Sequence, residues 1–211
     1  AALIDGAEVQ NYRPIARAPR KRRYPVSSAQ QRMWIMAQED SAMAYHIPVA
    51  LSLAGEVDEE RLSAAFIKLI ARHESLRTSF SLSGGKLWQS VRKSVPFSLG
   101  KASCKRAQIS RTLKGLMRPF DLAAAPLFRA HLVDIEEGGR VLFLQIHHCV
   151  GDKQSLRIML EDLMDFYAGK TPPPREIDYA DYAIWQRESL LTEAMERQRQ
   201  FWKEALSGEL P

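Results

Sequence analysis

Two adjacent histidines and a nearby aspartate end an apolar run, and these residue types can carry acid–base chemistry. His147 and His148 follow the apolar residues 141–146, and Asp152 comes four residues after His148. Successive side chains of a strand point to opposite faces, so one histidine can pack inward while the other faces a cleft. An imidazole titrates near neutral pH and can exchange a proton with an amine or a hydroxyl. The pattern predicts a proton-transfer site, and the alternative is a histidine pair with only a structural role.

A metal site is the weaker interpretation of the same three residues. Asp152 could supply a third ligand beside His147 and His148, but the sequence offers no matching cluster of cysteine or histidine. The two histidines would also diverge from a strand. We therefore predict no metal ion here.

Composition indicates an ordinary globular protein. A chain of 211 residues, 45% hydrophobic and 26% charged, suffices for one or two domains. No apolar run approaches the roughly 20 residues that span a bilayer, and the first residues lack the layout of a signal peptide. Two widely spaced cysteines, Cys104 and Cys149, fit a reducing cytosol. We expect a cytoplasmic protein with no membrane partner.

The positive charge is concentrated at the start of the chain. Residues 1–24 hold six Lys or Arg and two Asp or Glu, so they carry +4 of the net +5. This segment also contains Pro14 and Pro19, which is typical of a solvated linker. Because the remainder is nearly neutral, it lacks the basic face that nucleic-acid binding requires, and we expect no nucleic-acid partner.

Periodicity predicts alternating helices and strands, and therefore a mixed α/β layer fold. Arg72 and His73 fall at the end of the second helix, where cations favour the helix dipole, and this needs no further role. The predicted helices cover residues 29–38, 58–75, 106–118, 156–167 and 179–206, and the predicted strands cover 46–54, 77–82, 87–91, 97–99, 127–135 and 141–147.

Three segments resemble the core motifs of condensation domains from nonribosomal peptide synthetases. Residues 28–34 (Ser-Ala-Gln-Gln-Arg-Met-Trp) resemble the first motif, and residues 72–80 (Arg-His-Glu-Ser-Leu-Arg-Thr-Ser-Phe) resemble the second. Residues 147–152 stand where the His-His-x-x-x-Asp-Gly motif belongs. Further likeness, in order and spacing, lies in residues 45–48, 118–122, 126–129 and 181–186. The resemblance covers roughly residues 12 to 211, and the chain is identified as a member of this family.

The resemblance implies a chloramphenicol-acetyltransferase-like fold, in which each of two lobes has a mixed sheet flanked by helices. Such a domain is roughly twice as long as this chain. We therefore interpret residues 25–211 as the N-terminal lobe of a condensation domain, with the C-terminal lobe absent. Residues 1–24 resemble the linker that follows an upstream carrier-protein domain. The opening Ser27-Ser28-Ala29-Gln30 is similar to the subclass that accepts an L-configured donor.

The resemblance also implies a reaction. A donor acyl or peptidyl group on the phosphopantetheine arm of an upstream carrier protein is transferred to the amine of an aminoacyl group on a downstream carrier. The product is an amide bond, made during the biosynthesis of antibiotics and other secondary metabolites. The implied partners are the two carrier-protein domains and the missing C-terminal lobe. No cofactor is bound directly, because the phosphopantetheine belongs to the carriers.

Roles for single residues follow from the same resemblance. His148 is the catalytic candidate, which positions the amine or accepts its proton. His147 is expected to be structural, with a buried ring satisfied by the backbone. Asp152 is expected to lock the loop through an ion pair, and Arg77 of the second motif is its candidate partner.

One position departs from the family pattern. Lys153 stands where the motif has glycine, and Gln154 stands where an aromatic residue is usual. Glycine would allow unusual backbone angles and the close passage of substrate. We expect Gly151 and Lys153 to line the substrate tunnel, where the lysine could narrow the tunnel, bind an acidic group or turn into solvent.

Three functions are compatible with these residues. The first is the amide-forming lobe, and the second is a catalytically silent, condensation-like module that binds a carrier protein or another enzyme. The third is a related epimerase-type or ester-forming domain or a free-standing acyltransferase, although a linker-like leader argues against the last. In each case we expect the isolated lobe to be inactive and to expose an apolar face where its second half docks.

Overall fold

The computed structural model describes residues 14–38 and 43–208. The strands are β1 (Tyr24–Pro25), β2 (His46–Leu53), β3 (Thr78–Ser83), β4 (Lys86–Val91), β5 (Gly100–Cys104), β6 (Phe128–Ile135) and β7 (Arg140–His147). The helices are α1 (Ser28–Met36), α2 (Glu59–Arg72), α3 (Ile109–Leu116), α4 (Lys153–Tyr167), α5 (Tyr179–Ser189) and α6 (Glu193–Ala205). Short 3₁₀ turns occupy Glu74–Arg77 and Arg106–Gln108.

The central sheet has the order β2-β7-β6-β5. The pairs β2–β7 and β6–β7 are antiparallel, whereas β5 runs parallel to β6. The register of β2 on β7 places His46 directly opposite His147. A smaller antiparallel sheet has the order β1-β4-β3. The histidine pair therefore lies at the end of a strand with neighbours on both sides.

Helices cover both faces of the central sheet. On one face the buried residues Phe66 and Leu69 of α2 and Met159 and Leu163 of α4 form the main core with the strands. On the other face the apolar side of α3 packs against a smaller cluster around Val133. Because β7 is buried between these layers, its apolar run has no alternation of polar residues.

The fold confirms the expected mixed sheet flanked by helices, with three local differences. The predicted strand at residues 97–99 is a loop, and β5 begins just after it. The predicted helix over residues 179–206 is two helices, because α5 ends at Ser189 and the hydroxyl of Thr192 caps a new helix, α6, by accepting the N–H of Met195 at 3.4 Å. The two-residue strand β1 was not predicted.

The described part of the leader lies against the lobe. The N–H of Ala18 donates to Oδ1 of Asp181 in α5 at 2.9 Å, and the N–H of Lys21 donates to the hydroxyl of Tyr24 at 2.9 Å. The bond of Ala18 therefore joins the leader to the folded domain, while residues 19–23 are exposed to solvent as expected of a linker, and residues 1–13 lie outside the described residues. Within the described ranges, no helix is long and apolar enough to cross a membrane.

Candidate functional site

His147 faces the protein interior at the end of β7. Its side chain is 1% exposed, and its Nδ1 accepts the backbone N–H of Cys149 at 3.2 Å. Burial, together with the neighbouring rings of His46 and His148, lowers the pKa of His147 from 6.5 to about 4. The ring is therefore neutral at pH 7 and braces the turn that follows it.

His148 faces the opposite way and lines a cavity of about 420 Å³. Its backbone N–H donates to the carbonyl of Tyr45 at 2.8 Å, which fixes the main chain to the segment before β2. Its Nδ1 lies 2.9 Å from the carbonyl oxygen of Gly151. A carbonyl can only accept, so Nδ1 carries the proton, and in the neutral ring Nε2 keeps a free lone pair. His148 is thus oriented as a base.

Gln30 holds the shape of this loop, and Gly151 packs closely against Ile146 within it. A Cβ on Gly151 would lie 2.7 Å from Cδ1 of Ile146, which is closer than such contacts occur. The side chain of Gln30 donates to the carbonyl of Cys149 at 3.2 Å, while its Oε1 accepts the N–H of Ser27 at 3.0 Å in a capping box. The first sequence motif therefore ties α1 to the histidine loop.

Asp152 caps α4 and does not pair with Arg77, which corrects the expectation from sequence. Oδ1 of Asp152 accepts both the N–H and the hydroxyl of Ser155 at 2.7 Å, and these bonds lower the pKa of Asp152. Arg77 lies at the end of the 3₁₀ turn and donates to the carbonyls of Ile70 at 3.0 Å and Ala71 at 3.2 Å. The guanidinium thus satisfies open carbonyls at the end of α2.

The arginine and histidine that begin the second motif have a larger role than helix-end cations. Both bind the carboxylate of Asp162, which is 7% exposed: Nε of Arg72 and Nε2 of His73 each lie 2.7 Å from its Oδ2. Nη1 of Arg175 lies 3.4 Å from Nδ1 of His73. Because an arginine only donates, His73 accepts at Nδ1 and donates to Asp162 at Nε2. Burial, then Arg175, lowers the pKa of His73 and favours this neutral form.

The cavity beside His148, here called the His148 cavity, has mainly apolar walls. Gly151 lines it, as expected, whereas Lys153 is exposed on the first turn of α4 and is not part of the lining. A helical position needs no unusual backbone angle, so lysine is accommodated there without strain. Lining residues from four segments include Met33, His148, Met159, Ile177 and Tyr182.

His46 is a buried residue of the site that sequence reasoning missed. Its ring centroid lies 5.3 Å from that of His147 and 5.0 Å from that of Phe120. Neither ring nitrogen has a hydrogen-bond partner among the described residues, and burial lowers the pKa of His46. The available signals were its place at the first position of a predicted strand and its position within residues 45–48, which resemble the family. Across residues 14–38 and 43–208, no three His, Cys, Asp or Glu side chains group to hold a metal ion.

The last helix presents apolar side chains to solvent. None of the residues of α6 is buried, and Phe201, Trp202 and Leu206 are 61%, 58% and 55% exposed. Leu191, just before this helix, is 88% exposed. A soluble domain rarely leaves so many large apolar groups together in water.

These features define half of a chloramphenicol-acetyltransferase-like fold, with a His-His-x-x-x-Asp loop on the edge of an open cavity. The Condensation domain family matches residues 20–211, which is nearly all of the chain. The chain therefore belongs to the condensation-domain family of nonribosomal peptide synthetases.

Curated relatives are much longer than this chain. One of the plipastatin synthase proteins of Bacillus subtilis (strain 168) is 38% identical over 212 aligned residues, which cover 100% of this chain and 6% of the relative. Gramicidin S synthase 2 of Brevibacillus brevis is 35% identical over 212 residues, with 100% and 5% covered. The chain thus spans only 5% to 6% of the length of these relatives.

Solved structures show the same fold over half of their chains. The X-domain in its complex with OxyB from teicoplanin biosynthesis has a TM-score of 0.85 at 28% identity, covering 97% of this chain and 49% of that chain. The X-domain alone has a TM-score of 0.84 at 29% identity, covering 93% and 46%. The first condensation domain of the calcium-dependent antibiotic synthetase, at 21% identity, shares the fold with a TM-score of 0.76, covering 90% and 48%.

Proposed function

We propose that this chain is the N-terminal lobe of a condensation domain that forms peptide bonds. The domain would transfer an acyl or peptidyl group from the thioester of an upstream carrier protein to the amine of a downstream carrier-bound aminoacyl group. The observation that carries this proposal is the orientation of His148, whose side chain lines a cavity, whose Nδ1 is committed to Gly151, and whose Nε2 has no hydrogen-bond partner among the described residues. Such a base can bind the incoming amine directly.

The reaction requires that the amine be positioned at the thioester carbonyl more than it requires a strong base. An α-amine has a pKa of roughly 8, so a useful fraction is already neutral at pH 7. Nε2 of His148 would accept a hydrogen bond from that amine and direct its lone pair at the thioester carbonyl. As the carbon–nitrogen bond forms, the amine proton passes to Nε2. As the carbon–sulfur bond breaks, it passes on to the leaving thiolate.

The neighbouring groups keep this ring in place and give it no new chemistry. His147 stays neutral and accepts the N–H of Cys149, so the turn cannot unwind without exposing a buried ring. Asp152 fixes the start of α4, and Gln30 holds the loop from the other side. We assign these three residues to structural support, with Arg77 supporting α2 instead of Asp152.

The partners follow from the partial length of the chain. A C-terminal lobe would cover the open side of the His148 cavity and the exposed apolar face of α6. The arms of both carriers would enter between the lobes and bring the only phosphopantetheine, with no cofactor bound by this chain. We further propose that residues 1–24 lead from an upstream carrier and that the donor is L-configured. The synthetase would act in the cytoplasm, where Cys104 and Cys149 stay reduced.

The decisive experiment uses the complete two-lobed domain and two loaded carriers. Intact-protein mass spectrometry would follow the donor group as it moves to the acceptor carrier, for the native domain, His148→Ala and Lys153→Gly. We expect transfer by the native domain, a loss of at least about a hundredfold in His148→Ala, and little change in Lys153→Gly, because Lys153 lies outside the cavity. Undiminished transfer by His148→Ala would rule out catalysis through this residue.

A second candidate function is a silent module that binds another protein. It is favoured by the likeness to the X-domain, which was solved in complex with OxyB, and by the lysine in place of the motif glycine. No transfer by the native domain, restored by Lys153→Gly, would indicate a domain silenced at that position. No transfer by any form would support the binding module.

A further inference from the structure

A second concave region of the surface, here called the basic hollow, is lined mainly by cations. Its volume is about 510 Å³, within the ~300–1,000 Å³ of ordinary ligand pockets. It shares no lining residue with the His148 cavity, and no Asp or Glu of the described residues lines it. The lining consists of four cations, two serines and one valine: Arg22, Arg23, Ser81, Ser90, Val91, Arg92 and Lys93.

The pairing of strands brings together cations that are far apart in the sequence. Arg22 and Arg23 stand just before β1, whereas Arg92 and Lys93 stand just after β4. Because β1 and β4 are antiparallel, the start of β1 lies beside the end of β4. The sequence assigned most of the positive charge to the leader, and the fold places two of its arginines against two cations of the domain. The hollow therefore carries four formal positive charges.

The main chain beneath these cations is held by other contacts of the fold. Nη1 of Arg77 donates to the carbonyls of Arg92 and Lys93, and the N–H of Arg92 donates to the carbonyl of Arg77 at 2.9 Å. The guanidinium of Arg23 lies 5.4 Å from the ring centroid of Trp88. An arginine stacked on an aromatic ring still has N–H groups at its edge that can donate. The hollow is thus organised before any ligand binds.

The four cations have no internal counter-charge. Within residues 14–38 and 43–208, none of them forms an ion pair with a carboxylate. Like charges at close range repel each other, and a concave surface lined by one sign of charge concentrates the field that attracts an anion. Guanidinium, ammonium and hydroxyl groups all donate hydrogen bonds to phosphate oxygens. The chemistry of the lining therefore fits a phosphate-bearing ligand.

The number of charges indicates more than one phosphate group. A single phosphate group carries about −1.5 to −2 near pH 7, which leaves about half of the positive charge in the hollow unmatched. Two or three linked phosphates would match it within one compact ligand. An acidic peptide would instead spread its carboxylates along a chain that extends by about 3.3–3.6 Å per residue. The compact hollow favours the linked phosphates.

We infer that the basic hollow binds an oligophosphate anion, in which two or three phosphate groups are linked, either free or as part of a nucleotide. This inference does not depend on the proposed function, because no lining residue belongs to the loop of His148.

Calorimetry on the complete two-lobed domain, without divalent cations, tests the binding. The probes are inorganic phosphate, pyrophosphate, tripolyphosphate and a hexaglutamate peptide. We expect tripolyphosphate to bind at least about tenfold more tightly than phosphate, with an affinity that falls as salt is added. Equal affinities for phosphate and tripolyphosphate, or no binding of either, would overturn the inference. Hexaglutamate that binds as tightly as tripolyphosphate would also overturn it and would indicate a surface for an acidic protein.

Removing two of the cations should weaken the binding of tripolyphosphate. For Arg23→Gln combined with Arg92→Gln we expect a loss of affinity of at least about tenfold. Lys68→Gln combined with Arg111→Gln changes the net charge equally at exposed positions outside the hollow, and it should change the affinity less than about twofold. Equal losses in the two double variants would overturn the inference, because binding would then depend only on the net charge.

A negative charge placed in the hollow should repel the ligand. Ser81 is exposed, so Ser81→Asp can be made without burying a carboxylate. We expect the affinity for tripolyphosphate to fall at least about tenfold, while the uncharged Ser81→Asn has a smaller effect. An unchanged affinity in Ser81→Asp would overturn the inference.

A comparison of ATP with tripolyphosphate identifies the source of the phosphates. ATP that binds at least about tenfold more tightly would show that the nucleoside contributes, and the ligand would be a nucleotide. Equal affinities would show that the phosphates alone are recognised, and the ligand would be a free oligophosphate. Both outcomes support the basic hollow as an oligophosphate site.

Discussion

The loop that carries His148 and the helix α6 differ in how many of their polar and apolar groups find a partner within this chain. In the loop, backbone and side-chain groups have partners from several segments: Tyr45 binds the main chain of His148, Gln30 binds Cys149, and Asp152 caps α4. In α6 no residue is buried, and its large apolar side chains face solvent. The chain thus holds the loop of His148 by its own contacts, whereas no described residue buries the apolar side chains of α6.

This difference separates two requirements of a site between lobes. Under the proposed function, the base must be oriented by short-range contacts that survive any motion of the lobes, and Nδ1 of His148 lies 2.9 Å from a carbonyl only three residues away. The walls that enclose substrates can come from elsewhere. We therefore expect damage to the loop network to cost stability, and changes on α6 to affect association.

Removing the carboxylate of Asp162 should have the largest effect on stability. In Asp162→Asn, Arg72 loses its charge partner, and the buried His73 keeps only a neutral amide oxygen as acceptor in place of a carboxylate. Breaking one side of a buried ion pair costs about 3–5 kcal/mol of the free energy of unfolding. Urea unfolding measures this, with Asp165→Asn, at a half-exposed position on the same helix, as the control. A loss below about 1 kcal/mol would show that the network contributes little.

Acid should lower the stability of the histidine loop at a pH higher than that at which carboxylates become protonated. The pKa of His147 is lowered from 6.5 to about 4, and burial also lowers the pKa values of His46 and His73. Below pH 6.5 the unfolded chain therefore binds protons that the folded chain does not bind. The contribution of His147 to the free energy of unfolding is fully present above pH 6.5. It falls by about 3 kcal/mol as the pH falls towards 4.

Unfolding curves at several pH values between neutrality and the lowered pKa of His147 test this dependence. The variant His147→Asn should be less stable at neutral pH but should show a shallower loss with acid. An equally steep loss in both proteins would assign the pH dependence to other groups.

Gln30→Ala should cost less, because it breaks hydrogen bonds without leaving a charge. It removes the contact to the carbonyl of Cys149 and half of the capping box with Ser27. Together these are worth about 2 kcal/mol of unfolding free energy. The neighbouring Gln31→Ala, at an exposed position, is the control. If the two variants are equally stable, the first motif does not support the histidine loop.

The sequence predicted the loop better than its surroundings, for physical reasons. A buried central strand followed by a capped helix has a strong local signal, and the backbone-directed contacts of His147 and His148 depend on that local geometry. Partners distant in sequence have no such signal. The family resemblance implied that Arg77 pairs with Asp152, but backbone carbonyls bind Arg77 and Ser155 binds Asp152 instead.

Two other features were not predicted, because they too depend on partners that are distant in the sequence. The Asp162 network joins residues 90 positions apart, and its aspartate appears in the sequence only as a polar residue within an apolar helix. The strand β5 has the sequence Gly-Lys-Ala-Ser-Cys, which contains no β-branched or aromatic residue. Its pairing comes from the neighbouring β6 in parallel. Tertiary contacts, not local propensity, determine both features.

One substitution near the histidine loop, His46→Phe, should stabilise the folded chain. His46 keeps two buried ring nitrogens without a described partner, and such groups cost about 1–3 kcal/mol each when unmet. In His46→Phe the ring can still pack on Phe120 and His147 without polar atoms. We expect an increase of about 1 kcal/mol in the unfolding free energy. His131→Phe, at the other unpartnered ring nitrogen among the described residues, is the matched comparison. A loss of stability in His46→Phe would mean that His46 has a polar role.

The smallest effect on stability, and the clearest effect on association, is expected for α6. Phe201 and Trp202 are more than half exposed, so Phe201→Ser with Trp202→Ser removes little buried surface, and the unfolding free energy should change by less than about 0.5 kcal/mol. If the apolar face of α6 is the docking surface of a second lobe, the isolated chain should self-associate through it. Sedimentation velocity would then show oligomers for the native chain and a monomer for the double variant.

Exchange of the exposed Glu193 and Glu196 on the same helix for serine is the control, and it should leave the oligomers in place. A native chain that stays monomeric would contradict this role of α6, because its apolar side chains would then need no partner.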